Sequence, residues 1–385
     1  MPTRTPPGAV SFGARAAITD RTFARNGRPG SPTVAWLVEG LTRALAAAGY
    51  EPRDEPGPDV QVVLHTVDGR APRPYRRKNA PTFVVAIVSV PEPAADVLRA
   101  GYPVLVQALA NLAILVSEDR AAAHFVTLEQ GTYTVEHDGD DAAFFAAVLE
   151  RVEPLASSRL VIANKFRHDL EPELWSGDAE TRQLARAGER LADLDLLPSV
   201  FPIEEILSER DLRHVKLLYG IGGLSYGNVS ARRQPPTDSG LGPEFWMSAS
   251  GVDKSKLRDV GREVLLVRGY DAVYDAMVLA VPPDIVPNRV SVDAIEHWMI
   301  YQEHPDVGAI VHVHAWIPGT PATEINYPCG TVELARAVAE LVRQAPDPTR
   351  AVVGQRNHGL TITGHDLDEI FARIDGRVVR TVPMD

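Results

Sequence analysis

Strand-like and helix-like patterns alternate along the first 166 residues, and this alternation predicts an α/β fold with a parallel, doubly wound, Rossmann-like sheet. Two observations support it. Residues 60–66 and 82–90 are short β-branched apolar runs without polar alternation, as in strands buried on both faces. Before the first of them, Ser31 suits an N-cap, Pro32 the first helical position and Gly49 the stop of a helix over residues 33–49. A further strand is expected over residues 123–135, a helix over 140–152 and a last strand over 158–163. Residues 167–177 are mostly polar, broken by Pro172 and closed by Gly177, and read as a linker. The expected division is therefore a domain at 1–166, a linker at 167–177 and a second domain at 178–385. The second opens with an amphipathic helix over 178–194, carrying Leu184, Ala185, Leu191 and Leu194 on one side.

A chain of 385 residues has material for about two domains with real cores. Its net charge of -12 argues against non-specific nucleic-acid binding, which needs a basic surface. The longest apolar run, residues 103–116, contains Gln107 and Asn111 and is too short to span a bilayer. The Pro-rich opening MPTRTPPGAV lacks the apolar core of a signal peptide. One cysteine, Cys329, excludes an internal disulfide and fits a reducing cytoplasm, so a cytoplasmic protein without a membrane segment is expected. In the first domain no dinucleotide fingerprint follows a strand. The basic loop with Arg70, Arg73, Arg76, Arg77 and Lys78 is either an anion pocket at the sheet edge, a solvated loop or one that docks on the acidic partner domain.

Chemistry concentrates in the second domain. His312 and His314 are separated by one valine and flanked by others, so on a buried strand both rings point to one face. His358 follows in Asn357-His358-Gly359. Three neutral imidazoles with an open fourth position are the pattern of a catalytic metal site; three hydrogen-bonded core histidines are the alternative. Upstream, the glycine-rich 222–227 turn runs into Asn228-Val229-Ser230, and Ser248-Ala249-Ser250-Gly251 follows an expected strand at 245–247. Either turn suits an anion or carbonyl cradle, or is simply a turn. A helix is expected from Ser291, as N-cap, to about His304. Within it Asp293 and His297 stand four apart and can meet, Asp293 as a fourth ligand or proton carrier and His297 as its partner.

Taken in order, Gly-Asn-Val-Ser, Ser-Gly-Val, Ser-x-Asp-x-x-x-His, His-x-His-Ala, Gly-Thr-x-Glu-Leu and Asn-His-Gly resemble the class II aldolase/adducin family over about 178–385. That family includes fuculose-phosphate aldolases and ribulose-phosphate 4-epimerases. The resemblance implies an α/β/α sandwich and a homo-oligomer, typically a tetramer. It implies His312, His314 and His358 as ligands of a divalent metal, zinc first with manganese or iron as alternatives, and Asp293 as the catalytic carboxylate. Asn228, Ser250, Gly251 and Ser291 fall at its substrate-binding positions. It implies a small-molecule substrate, a carbonyl-containing sugar or keto acid, cleaved by a lyase of aldolase or decarboxylase type through an enediolate. An epimerase with the same metal site, a non-haem iron oxygenase and a non-catalytic adducin-like binding protein are the alternatives. Val292 stands where the family carries a second hydroxyl.

Overall fold

The computed structural model describes residues 21–79, 81–91, 96–128, 131–199, 201–219, 225–234 and 242–384. The opening decapeptide and positions 222–224 of the glycine-rich turn lie outside these. The first unit runs β1 (Thr22–Asn26), α1 (Pro32–Ala47), β2 (Glu51–Arg53), β3 (Val62–Thr66), β4 (Phe83–Val90), α2 (Val97–Gln107), β5 (Leu112–Ser117), β6 (Ala122–Thr127), β7 (Gly131–Glu136) and α3 (Asp141–Ser157). Its seven-stranded sheet has the order β2-β1-β3-β4-β5-β6-β7. Pairing is parallel from β2 through β5, then antiparallel for β6 and β7.

Alternation along each strand explains the unbroken apolar runs. Phe83, Val85 and Ile87 of β4 face α1 and α3, while Val84, Ala86 and Val88 face α2, so both faces are covered and neither takes polar residues. Helix α1 begins as expected, with the Ser31 hydroxyl accepting from Val34 N. Residues 123–135 prove to be two strands rather than one. They form a hairpin in which β7 opens at Gly131, φ 80°, a backbone region that favours glycine.

The second unit runs β8 (Ala163–Arg167), α4 (Ala179–Asp193), α5 (Ile203–Ile206), α6 (Glu209–Tyr219), β9 (Asn228–Arg232), β10 (Phe245–Ser248), β11 (Val264–Asp271), β12 (Ala276–Ala280), α7 (Ala294–Glu303), β13 (Ala309–Val313), α8 (Val332–Gln344), β14 (Val352–Gln355), β15 (Gly359–Gly364) and α9 (Leu367–Ile374). Its eight-stranded sheet has the order β14-β15-β13-β9-β10-β11-β12-β8. The expected last strand of the first domain, at 158–163, is corrected here. The strand is β8, and it pairs in parallel with β12 as the edge of the second sheet. Arg167 is therefore strand rather than linker, and Pro172–Leu174 forms a short 3-10 turn.

Helices α4 and α9 pack on one face of this sheet and α7 and α8 on the other. Helix α4 is fixed by a reciprocal cap in which Asp178 accepts from Thr181 N and the Thr181 hydroxyl accepts from Asp178 N. The short helices α5 and α6 lie against α2, burying Ile203, Leu207 and Val215 with Tyr102 and Leu105. Gln107 there donates to Asp211 at 2.9 Å. Among the described residues no helix is long and apolar enough to cross a membrane.

Candidate metal centre

Strand β13 lies between β9 and β15. Its Val311 and Val313 enter the core under α4 and α9, and Ile310 the core under α7 and α8, so by alternation His312 faces the α7 side. His314 follows the strand end, its ring 5.2 Å from that of His312. The third ring comes from the loop between β14 and β15, where Gln355 pairs with Gly359. Asn357 there adopts φ 59°, which asparagine tolerates better than most residues. Gly359 admits close approach of the strands, because a Cβ there would stand 2.2 Å from the Val313 carbonyl oxygen. That approach seats the His358 ring 4.6 Å from His314 and 4.9 Å from His312, centroid to centroid. Gly227, φ 68°, allows the equivalent approach on the β9 side, where a Cβ would stand 2.6 Å from the His312 carbonyl oxygen.

The donor set fits a divalent cation. One ring nitrogen from each of His312, His314 and His358 lies within 4.8 Å of the others, all buried. His312 Nδ1 is 3.0 Å from the Leu360 carbonyl oxygen, to which only a protonated nitrogen can donate. This fixes the tautomer and leaves Nε2 a bare lone pair, buried and without a partner among the described residues. His314 Nε2 and His358 Nε2 face each other at 3.0 Å, close to the spacing of two nitrogens on one tetrahedral ion. Burial holds all three rings below the ordinary imidazole value, His314 and His358 well below it, so they stand neutral, as ligation requires.

Around the triad, Asn228 Nδ2 donates to Asp293 Oδ2 at 2.7 Å and to Ser291 Oγ at 3.1 Å. Asp293 Oδ1 is buried and unpartnered among the described residues. Thus Asn228, Ser291 and Asp293 form one cluster. Ser250 and Gly251 lie in the turn after β10, with Ser250 N donating to the Arg289 carbonyl oxygen, so the turn borders the strand-like segment leading to Ser291. Two expectations change. Ser291 does not cap α7; Asp293 holds that position, without a side-chain cap bond. His297 does not hydrogen-bond the Asp293 carboxylate, because its Nδ1 is 2.7 Å from Ser230 Oγ, which also meets Tyr301 Oη at 2.8 Å. An N-cap residue sits outside the helical spiral, so the four-residue spacing does not bring the two side chains together.

Sequence reasoning missed two features. Behind His312, the fully buried Glu296 accepts from Gln355 Nε2 at 2.8 Å and from the Thr361 hydroxyl. Gln355 Nε2 also lies 3.4 Å from His312 Nδ1. Burial raises the Glu296 carboxyl well above the usual carboxylate range, and the charge of Asp293 adds to this. Its spacing of three from Asp293 was the available signal. The other is Lys254, buried beside the site within a run of polar residues that gives no sign of an interior position. In the first unit, Arg77 of the basic loop donates to Thr82 O at 3.0 Å and to Asn111 Oδ1 at 2.7 Å, and so serves the loop itself.

A neutral histidine triad on a mixed sheet, with a buried carboxylate alongside, defines a candidate metal-binding α/β domain. Residues 213–318 match the model of the class II aldolase and adducin N-terminal domain, a span containing every candidate site residue except His358. The C-terminal half therefore carries a class II aldolase domain. Solved structures similar to the chain include an L-fuculose 1-phosphate aldolase, at 16% identity over 54% of this chain and 82% of that one, TM-score 0.35. An aldolase II superfamily protein from Pseudomonas syringae is 15% identical over 53% of this chain and 73% of that one, TM-score 0.32. The N-terminal class II aldolase domain of a conserved protein from Thermoplasma acidophilum is 14% identical over 51% and 89%, TM-score 0.33. No curated protein matches the chain significantly.

Proposed function

We propose that the C-terminal domain is a divalent-metal-dependent carbon–carbon lyase, of aldolase or decarboxylase type, acting on a small carbonyl-containing sugar or keto acid. The observation that carries the reading is the buried Nε2 of His312, without a partner among the described residues and gathered with a nitrogen from each of two further neutral rings within 4.8 Å. An interior polar atom without a hydrogen bond is costly, and a cation there removes the cost. His312, His314 and His358 are the proposed ligands, with zinc preferred for three nitrogen donors and an open position. The bound ion would supply Lewis acidity to the carbonyl and hydroxyl oxygens of the substrate. Asp293 is the proposed proton carrier; its free Oδ1 faces the interior while Asn228 steadies Oδ2. Asn228, Ser250, Gly251 and Ser291 are the proposed substrate contacts, and His297 a supporting residue acting through Ser230.

The same reading extends to the rest of the chain. The first unit, five parallel strands with helices on both faces, is proposed as Rossmann-like, and the second as a class II aldolase-type α/β/α sandwich. A cytoplasmic homo-oligomer goes with it, in keeping with the single cysteine.

Metal analysis of the purified protein tests the proposal. Stoichiometric zinc or manganese is expected, lost in His312→Ala and His358→Ala while circular dichroism is unchanged. Full occupancy in both variants refutes the ligand assignment. Iron with oxygen uptake would instead make the domain an oxygenase, and an epimerised rather than cleaved sugar an epimerase.

A further inference from the structure

Lys254 is 3% exposed, an unusual place for a lysine. Its position is built by the fold. Helix α4 presses Gly188 against it so closely that a Cβ on that glycine would stand 1.8 Å from the Lys254 carbonyl oxygen. From the other side, Lys254 N donates to Ser225 Oγ at 3.3 Å. With its backbone held between these, the side chain is confined to the interior, where Nζ donates to the Ser225 carbonyl oxygen. Among the described residues that neutral oxygen is its one recorded hydrogen-bond partner. An ammonium has three N–H groups, so two remain for something else.

The location says what that is. Ser225, which holds Nζ, leads into Tyr226, whose ring is 5.2 Å from that of His314, and Gly227, which abuts the His312 carbonyl, so the ammonium stands on the histidine side of the site. Among the described residues Lys254 Nζ donates to the Ser225 carbonyl oxygen and Asp293 Oδ2 accepts from Asn228, with no ion pair between the two within 4 Å. Burial pulls the lysine down to about 8, with Asp293 opposing, so it still carries its proton at neutral pH. A buried cation with idle donors is stabilised by an anion, and the anion must arrive with the substrate.

We propose that Lys254 Nζ anchors a carboxylate bonded directly to the carbonyl or carbinol carbon of the substrate, making the domain specific for 2-oxo or 2-hydroxy acids rather than neutral sugars. The inference rests on the metal-site reading above and names its substrate class. A carboxylate has two oxygens, one for the coordination position and one for Lys254. A phosphate has three and needs more donors than one ammonium supplies.

Calorimetric titration of the zinc-loaded full chain tests this with three probes: oxalate, inorganic phosphate, and imidazole as a neutral ligand for the open position. Metal content is measured in every sample. Oxalate is expected to bind more tightly than phosphate, and K254M to weaken oxalate by about tenfold or more while imidazole affinity stays the same. Retained metal and imidazole binding show that K254M is folded. Should K254M fail to fold, K254Q, which keeps a donor for the Ser225 carbonyl oxygen without the charge, is expected to show the same loss. Unchanged oxalate affinity at full metal occupancy overturns the inference alone. Tighter binding of phosphate than oxalate overturns the choice of carboxylate. A wild-type chain that takes up no metal ends the reading of the site and this inference with it.

Discussion

Replacing Glu296 by glutamine isolates the protonation state of the carboxyl behind His312. The side chain is 2% exposed, and its carboxyl is raised well above the ordinary value of 4.5, by burial first and by the charge of Asp293 second. Between 4.5 and that raised value the unfolded chain has released the proton while the folded chain keeps it. The unfolded state then binds fewer protons, so wild-type stability falls as pH rises across this window. The contribution is present in full below the unfolded value and lost as pH climbs through the folded one. One proton's difference amounts to about 1.4 kcal/mol per pH unit. Glutamine is neutral in both states and lacks this dependence. Any cost of the new amide against Gln355 and Thr361 is an offset that does not vary with pH. Urea unfolding of E296Q and wild type, followed by tryptophan fluorescence across a series rising from about pH 5, should show the variant gaining on wild type as pH rises, by at most about 1.4 kcal/mol per unit. A constant difference across the series would mean that Glu296 is ionised in the folded protein, and the argument from burial would fail.

Asp293→Asn should abolish turnover while leaving metal content nearly intact, because the variant's amide oxygen can still accept from Asn228; wild-type rates would remove Asp293 from the proton-transfer role. Gly359→Ala should cost about 1–3 kcal/mol in thermal or urea unfolding, since its methyl carbon meets the Val313 carbonyl oxygen at 2.2 Å. The same variant should bind metal more weakly, because the contact that seats His358 beside His314 is forced apart. Unaltered stability and metal affinity would show that the strands yield without cost.

The sequence was most legible where a local rule matches the tertiary outcome. Ser31-Pro32 starts a helix wherever it finds one, and β13 buries both faces, so its valines and histidines were readable from period-two alternation alone. The three imidazoles lie together, with one ring nitrogen of each within 4.8 Å of the others. The errors arose where position depends on remote partners. Residues 158–163 look like a closing strand of the first sheet, yet the strand that forms, β8, is decided by the free edge of β12, more than a hundred residues onward. Asp293 and His297 have the right spacing for a pair, but Asn228 and Ser230, arriving on β9, take one each. Lys254 has charged and hydroxyl neighbours, and its burial comes from α4 lying across it, which no periodicity encodes.

The route of the chain around β8 joins the fates of its two halves. After leaving α3 it lays down the outermost strand of the other sheet, builds α4, then sends α5 and α6 back to cover α2, and the match to the aldolase model begins within α6. Cutting anywhere between Ser157 and Tyr219 strips one half of a border strand or the other of its roof. The naked rim of β12 would then offer unpaired amides to any passing strand. Evolution or an engineer could exchange the residues around the histidine triad more easily than separate the upstream unit from it.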